Sequence, residues 1–81
     1  MSQELANRMR ANPRGNWKIA DIKAVCQSHG ITCAPPRGDG SHYKVSHRSQ
    51  RDILTIPARR PLKPIYIRKL IRFIDAVVAG T

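Results

Sequence analysis

The sequence predicts an α+β domain: a three-stranded antiparallel sheet with helices on one face, its other face open, plus an extra N-terminal helix. Apolar residues at helical spacing occupy 17–29 and 65–79, and three short strand-like stretches bounded by turn residues lie between them. Strands grouped between helices, rather than alternating with them, favour α+β over a parallel sheet. At 81 residues the chain has room for one domain, whose core buries only about 60% of the unfolded surface.

Each element has its own signal. Residues 2–12 read as a short helix, with Ser2 placed to cap it and Glu4 in the first turn. Its apolar face is narrow, since only Leu5 and Met9 are spaced four apart. The breaker run Asn12-Pro13-Arg14-Gly15-Asn16 ends it, so 1–16 reads as a helical extension and linker and 17–81 as the functional domain. A second helix is expected over 17–29, capped by Asn16, with Ile19, Ile22, Val25, Cys26 and His29 as its buried stripe and Gly30 just past its end. Strands are expected at 31–34, stopped by Pro35-Pro36, at 41–47, and at 53–56, ended by Pro57. The segments 37–40 and 48–52 turn the chain, and 58–64 is a basic loop rich in Pro.

The last helix, 65–79, is closed by Gly80 and carries the stripe Ile67, Leu70, Ile71, Ile74 and Val78. Tyr66 and Phe73 widen that stripe beyond what one sheet needs. The extra width suits the N-terminal helix, which is favoured, or a second protein chain, so an oligomer stays open. Arg68, Lys69 and Arg72 lie on the opposite, solvated face. The order without the first helix, α-β-β-β-α, is that of double-stranded-RNA-binding domains, but a fold does not assign a function.

Charge dominates the composition. Fifteen Lys and Arg against five Asp and Glu give +10, a field that attracts polyanions without naming one. Ten of the fifteen cations are Arg, which suits bidentate phosphate contacts. So few carboxylates leave little for a two-metal centre, and no P-loop or Ser-His-Asp signature is present. Cys26 and Cys33 lack zinc-site spacing and read as free thiols of a cytoplasmic chain. Neither a signal peptide nor a membrane span is expected. Four aromatic residues, Trp17, Tyr43, Tyr66 and Phe73, leave few for base stacking.

The segment Gly38-Asp39-Gly40-Ser41-His42-Tyr43-Lys44 is the first candidate site. Glycines let backbone approach a phosphate, and strand alternation sends Tyr43 and Val45 to the helices but His42 and Lys44 away from them. An imidazole beside phosphate-holding cations suits proton transfer at a phosphodiester. In RNA the 2′-hydroxyl can serve as the nucleophile, a route that requires neither metal nor cofactor. On spacing alone, the exposed surface histidine is the favoured reading of His42. His47 has the opposite parity and reads as a strand cap, and His29 as a helix-end residue. Arg59, Arg60 and Lys63, like Arg37, are placed either to hold a phosphate backbone or simply to solvate a loop.

Gly40-Ser41-His42 on a strand, then a turn, Leu54-Thr55-Ile56-Pro57, a basic segment and a terminal amphipathic helix together resemble the HicA family of toxins, over 17–75. The resemblance implies an mRNA interferase with a double-stranded-RNA-binding-like fold, whose functional histidine falls on His42. It also implies a HicB-like antitoxin as partner, covering that histidine. The chain departs from many HicA proteins in having Tyr43-Lys44 where they carry further histidines, and Ala58-Arg59-Arg60 after Pro57. The readings that remain beside it are a non-catalytic RNA-binding module and a protein-interaction domain with an acidic partner.

Overall fold

In the computed structural model the chain runs α1 (Ser2–Ala11), α2 (Ile19–Ser28), β1 (Thr32–Ala34), β2 (His42–Ser46), β3 (Leu54–Pro57) and α3 (Pro64–Gly80). The structure describes residues 2–38, 40–59 and 61–80. Asp39 of the expected turn, Arg60 of the expected basic set and the Ser2 side chain expected to cap the first helix lie outside the described residues.

The sheet is antiparallel with strand order β1-β2-β3, as expected of an α+β chain with an open sheet. Cys33 pairs with Val45, and Tyr43 and Val45 pair with Ile56 and Leu54. Side chains alternate faces along a strand, so these five share one side, on which Val45 and Ile56 are completely buried. Thr32, His42, Lys44 and Thr55 share the other side, and all are exposed. The helices cover the first side alone: α2 packs on β1, α3 on β3, and α1 on both helices.

Pro57 belongs to β3 rather than ending it, paired with His42. The Ala58 N–H donates to the Ser41 carbonyl at 2.7 Å, which makes Ser41–Ala58 a hydrogen-bonded pair. Pairs alternate in an antiparallel ladder, so His42–Pro57 is a non-hydrogen-bonded one. The missing N–H of Pro57 therefore belongs to the open edge of the sheet, where proline is tolerated.

The second helix starts two residues later than its stripe suggested. Lys18, not Asn16, is the N-cap; its N–H donates to Asp21 Oδ2 at 2.9 Å, and the Asp21 N–H returns to its carbonyl at 2.9 Å. Trp17 stays outside the helix because it is core. It is 9% exposed, and its indole N–H donates to the Asn12 carbonyl at 2.7 Å. At the other end Gly30, with φ +67°, makes a Schellman stop: its N–H donates to the Gln27 carbonyl and that of Ile31 to the Cys26 carbonyl. His29, expected within the buried stripe, is instead the half-buried C-cap. Its Nδ1 lies 2.9 Å from the Val25 carbonyl oxygen.

Along α3 the buried residues are Ile67, Leu70, Ile71, Ile74 and Val77, while Val78 is 46% exposed. Residues 66, 70, 73 and 77 fall at i, i+4, i+7 and i+11, so Val77 continues the Tyr66–Phe73 side that widens the stripe. In its last turn the helix meets the β2–β3 turn, where a Cβ built at Gly80 would lie 3.6 Å from Ser49 Cβ. Gly80 is the last helical residue rather than a stop beyond it.

Helix α1 packs on α3, but on its Ile71–Asp75 side; the Tyr66–Phe73 side, expected to receive it, faces β3 instead. Ala6 and Met9 are 0% exposed and join one cluster with Trp17, Val25 and Ile74. Arg10 of α1 donates to Asp75 of α3. Leu62 also reaches this core, at 4% exposure, pinning a loop that pattern alone marks only as polar. No helix among the described residues is long and apolar enough to cross a membrane.

Candidate functional site

Both helices that pack on the sheet start at the same end of it. Gly30 leads from α2 into Thr32, whose partner Ser46 is at the far end of β2 from His42, so α2 begins at the His42 end. Helix α3 begins just beyond Pro57, the partner of His42, and finishes beside Ser49. The positive ends of two helix dipoles thus lie at the end that carries His42. Lys18 caps α2, and the Lys63 carbonyl accepts the first α3 hydrogen bond, from the Tyr66 N–H at 3.0 Å. Asp21 already answers the dipole at the start of α2, whereas the first turn of α3 has no acidic residue, only Lys63 just before it.

The chain around His42 is shaped by turns and prolines. Pro35 and Pro36 carry no N–H and peel away from β2, so β1 pairs only as far as Lys44. The return turn is tight: Gly38 has φ +53°, and the Gly40 N–H donates to the Arg37 carbonyl at 2.8 Å. A Cβ at Gly40 would stand 2.9 Å from that carbonyl oxygen, closer than real Cβ contacts come.

Two clefts meet at Ser41 and His42. One, of about 420 Å³, lies between the end of β3, the loop and α3; Pro57, Arg59, Pro61, Lys63 and Tyr66 line it. The other, of about 440 Å³, opens where β1 stops short, between Ala34-Pro35-Pro36, Arg37, Gly40 and Lys44. Arg37, Gly40, Ser41, His42, Lys44, Arg59 and Lys63 are therefore brought to one place, from two separate stretches of chain. Gly38 shapes the turn without lining either cleft.

His42 is exposed, and its Nδ1 lies 3.5 Å from Ser41 Oγ. His47 is engaged elsewhere: its Nδ1 accepts from the Ser49 N–H at 3.0 Å, with Ser49 Oγ 2.8 Å away. That closes the turn after β2, in keeping with a strand cap. Among the described residues no three His, Cys, Asp or Glu side chains cluster as metal ligands.

Tyr66 and the prolines are the cleft residues that sequence reading passed over. At the edge of an apolar stripe Tyr66 looks like packing; its phenol was the signal, since Tyr at a core edge usually keeps one end wet. Its ring has Lys69 Nζ over it at 5.8 Å from the centroid.

The thiols lie apart from this site, between α2 and β1. Burial pushes Cys26 up to about 12, and neighbouring Cys33 adds to the rise. Cys33 is also raised by burial, against the opposing effects of its hydrogen bond with Cys26 and of Lys23. Both are free.

A scan against protein-family models, a search of curated proteins and a search of solved structures each find no match to this chain.

Proposed function

We propose that this protein is a metal-independent endoribonuclease, the HicA-like toxin of a toxin–antitoxin pair, with His42 as its acid–base group. The observation that carries the reading is the position of His42: exposed on the open sheet face, where two clefts walled by Arg37, Lys44, Arg59 and Lys63 meet. A strand of RNA laid across both clefts brings a phosphodiester to the imidazole, with phosphates on either side held by cations. His42 takes the proton of the 2′-hydroxyl as its oxygen attacks phosphorus. The bond from phosphorus to the 5′-oxygen breaks, and that oxygen takes a proton from water or a neighbouring lysine. A 2′,3′-cyclic phosphate and a 5′-hydroxyl result. Ser41 orients the phosphate, with Gly40 giving it room to approach. A double-stranded-RNA-binding-like layout, cytoplasmic action and a HicB-like antitoxin over the cationic face belong to the same proposal.

One observation favours a second reading, a recognition module without chemistry. Among the described residues only the Ser41 hydroxyl approaches the His42 ring within hydrogen-bonding range, at 3.5 Å, whereas catalytic histidines are commonly oriented by a firmer partner. The test is cleavage of a long single-stranded RNA in EDTA by wild type and His42→Ala, with end groups identified and binding measured in parallel. Cleavage to cyclic-phosphate ends, lowered about 10²- to 10⁴-fold in the variant with binding retained, supports the enzyme. Binding without cleavage by either protein leaves the recognition module.

A further inference from the structure

We infer that the cleft between β3 and α3 is a nucleobase slot, in which the base of one nucleotide beside the scissile phosphate stacks on Tyr66. This rests on the RNA reading above and adds to it a substrate form: a single strand with at least one base turned into the protein.

The two clefts beside His42 are not alike. The β1 side carries Arg37 and Lys44 with Pro35 and Pro36 but no aromatic ring, so Tyr66 is what sets the other cleft apart. The β3 side has Pro57 and Pro61 on its walls, Tyr66 among its lining residues and Arg59 and Lys63 beside them. Flat apolar surfaces among cations match a nucleotide, whose base is planar and apolar on its faces and whose phosphate is anionic. A bare phosphate gains nothing from Pro57, Pro61 or an aromatic ring.

Tyr66 is half-buried and packed against the core, so its ring is held in place without a ligand. That lowers the ordering cost of stacking. The ring already meets one electron-poor group, the Lys69 ammonium at 5.8 Å. A base on the ring frees that ammonium for the accompanying phosphate. The approach is also geometrically consistent. His42 and Pro57 are cross-strand neighbours, so a base against Pro57 places its own ribose close to the imidazole. A base inside an RNA duplex cannot enter such a slot without unpairing.

The test measures binding, not cleavage. Uncleavable 2′-O-methyl heptauridylate is compared with the same backbone stripped of all its bases, for wild type, Tyr66→Phe and Tyr66→Leu. Stacking predicts that wild type and Tyr66→Phe prefer the base-bearing strand by roughly 5- to 150-fold, and that Tyr66→Leu loses the preference. Ring resonances of Tyr66 in the wild-type protein shift with heptauridylate and not with the abasic strand, a readout independent of how well any variant folds. Equal affinity of wild type for both strands overturns the slot and leaves the nuclease standing. So does a preference that survives in a folded Tyr66→Leu. Failure to bind either strand overturns the RNA reading itself.

Discussion

His42 and Pro57 face each other across β2 and β3 as a non-hydrogen-bonded pair, both on the sheet face that no helix covers. Side chains of such pairs approach closely, so the ring of Pro57 is a wall for the imidazole. Because His42 is exposed, His42→Ala should change the unfolding free energy by no more than about 0.5 kcal/mol. Ile56→Ala, one residue before Pro57 but on the buried face, should cost about 2–5 kcal/mol. Urea denaturation of the two variants checks the assignment of faces, and similar values would contradict it.

Arg59 and Lys63 line the slot from the loop and the start of α3. Each phosphate contact on a single strand contributes about 0.7 to the slope of log affinity against log salt. Arg59→Ala and Lys63→Ala should each lower the slope by about that amount. Arg48→Ala and Arg51→Ala, in the turn at the opposite end of the sheet, should leave it unchanged. Fluorescence anisotropy from low to moderate salt measures all four.

The two glycines of the 37–40 turn should fail differently. Gly38 needs only its positive φ, with nothing near a Cβ, so Gly38→Asn should be milder than Gly38→Ala, which costs about 1–2 kcal/mol. Gly40→Ala drives a methyl onto the Arg37 carbonyl and must move Ser41 and His42. Its mark is a loss of cleavage larger than its loss of thermal stability. Melting curves and cleavage rates on the same three proteins separate the cases.

Met9 is a core residue although it lies in the N-terminal helix. Met9→Ala should cost about 2–5 kcal/mol, while Arg10→Ala, which removes an exposed ion pair with Asp75, should cost about 1 kcal/mol or less. Were the helix a loose appendage, neither substitution would shift the main denaturation transition.

Cys26 sets an alkaline limit. Its folded-state value is raised from 9.0 to about 12, so the native state holds the proton that the unfolded state gives up. The resulting stability is fully present below pH 9 and is lost as pH rises towards 12, at up to ~1.4 kcal/mol per pH unit. The stability difference between wild type and Cys26→Ala should therefore narrow over that range. At neutral pH, alkylation should reach half-buried Cys33 first and Cys26 only on unfolding.

What could be read in advance follows where each signal resides. Strand alternation alone put His42 and Lys44 on the open face, and the Pro35-Pro36 stop marked the end of β1. The helix stripe named Ile67, Leu70, Ile71 and Ile74 but chose Val78 over Val77, because periodicity does not reveal that β3 and the β2–β3 turn recruit the Tyr66–Phe73 side. Trp17 matched a helix start until its indole bond to Asn12 and its burial held it outside. Leu62 sits among Pro61, Lys63 and Pro64 in a Pro-rich loop, so no element's pattern claims it. The site was legible as a set of cations around one histidine. That two clefts meet there, one walled by Tyr66, depends on how the 58–63 loop and α3 fold back beside β3, which chain order does not disclose.

The gathering of Arg37, Lys44, Arg59 and Lys63 around one exposed strand has a consequence for the protein by itself. With +10 on 81 residues and four like charges held together by the fold, the empty protein is strained by its own electrostatic pressure. Any multivalent anion that settles there releases that pressure, and mass action makes it a stabilising agent as well as a ligand. The melting temperature becomes a sensor of occupancy: stripped of nucleic acid, the purified protein should melt lower than when saturated with short RNA or heparin.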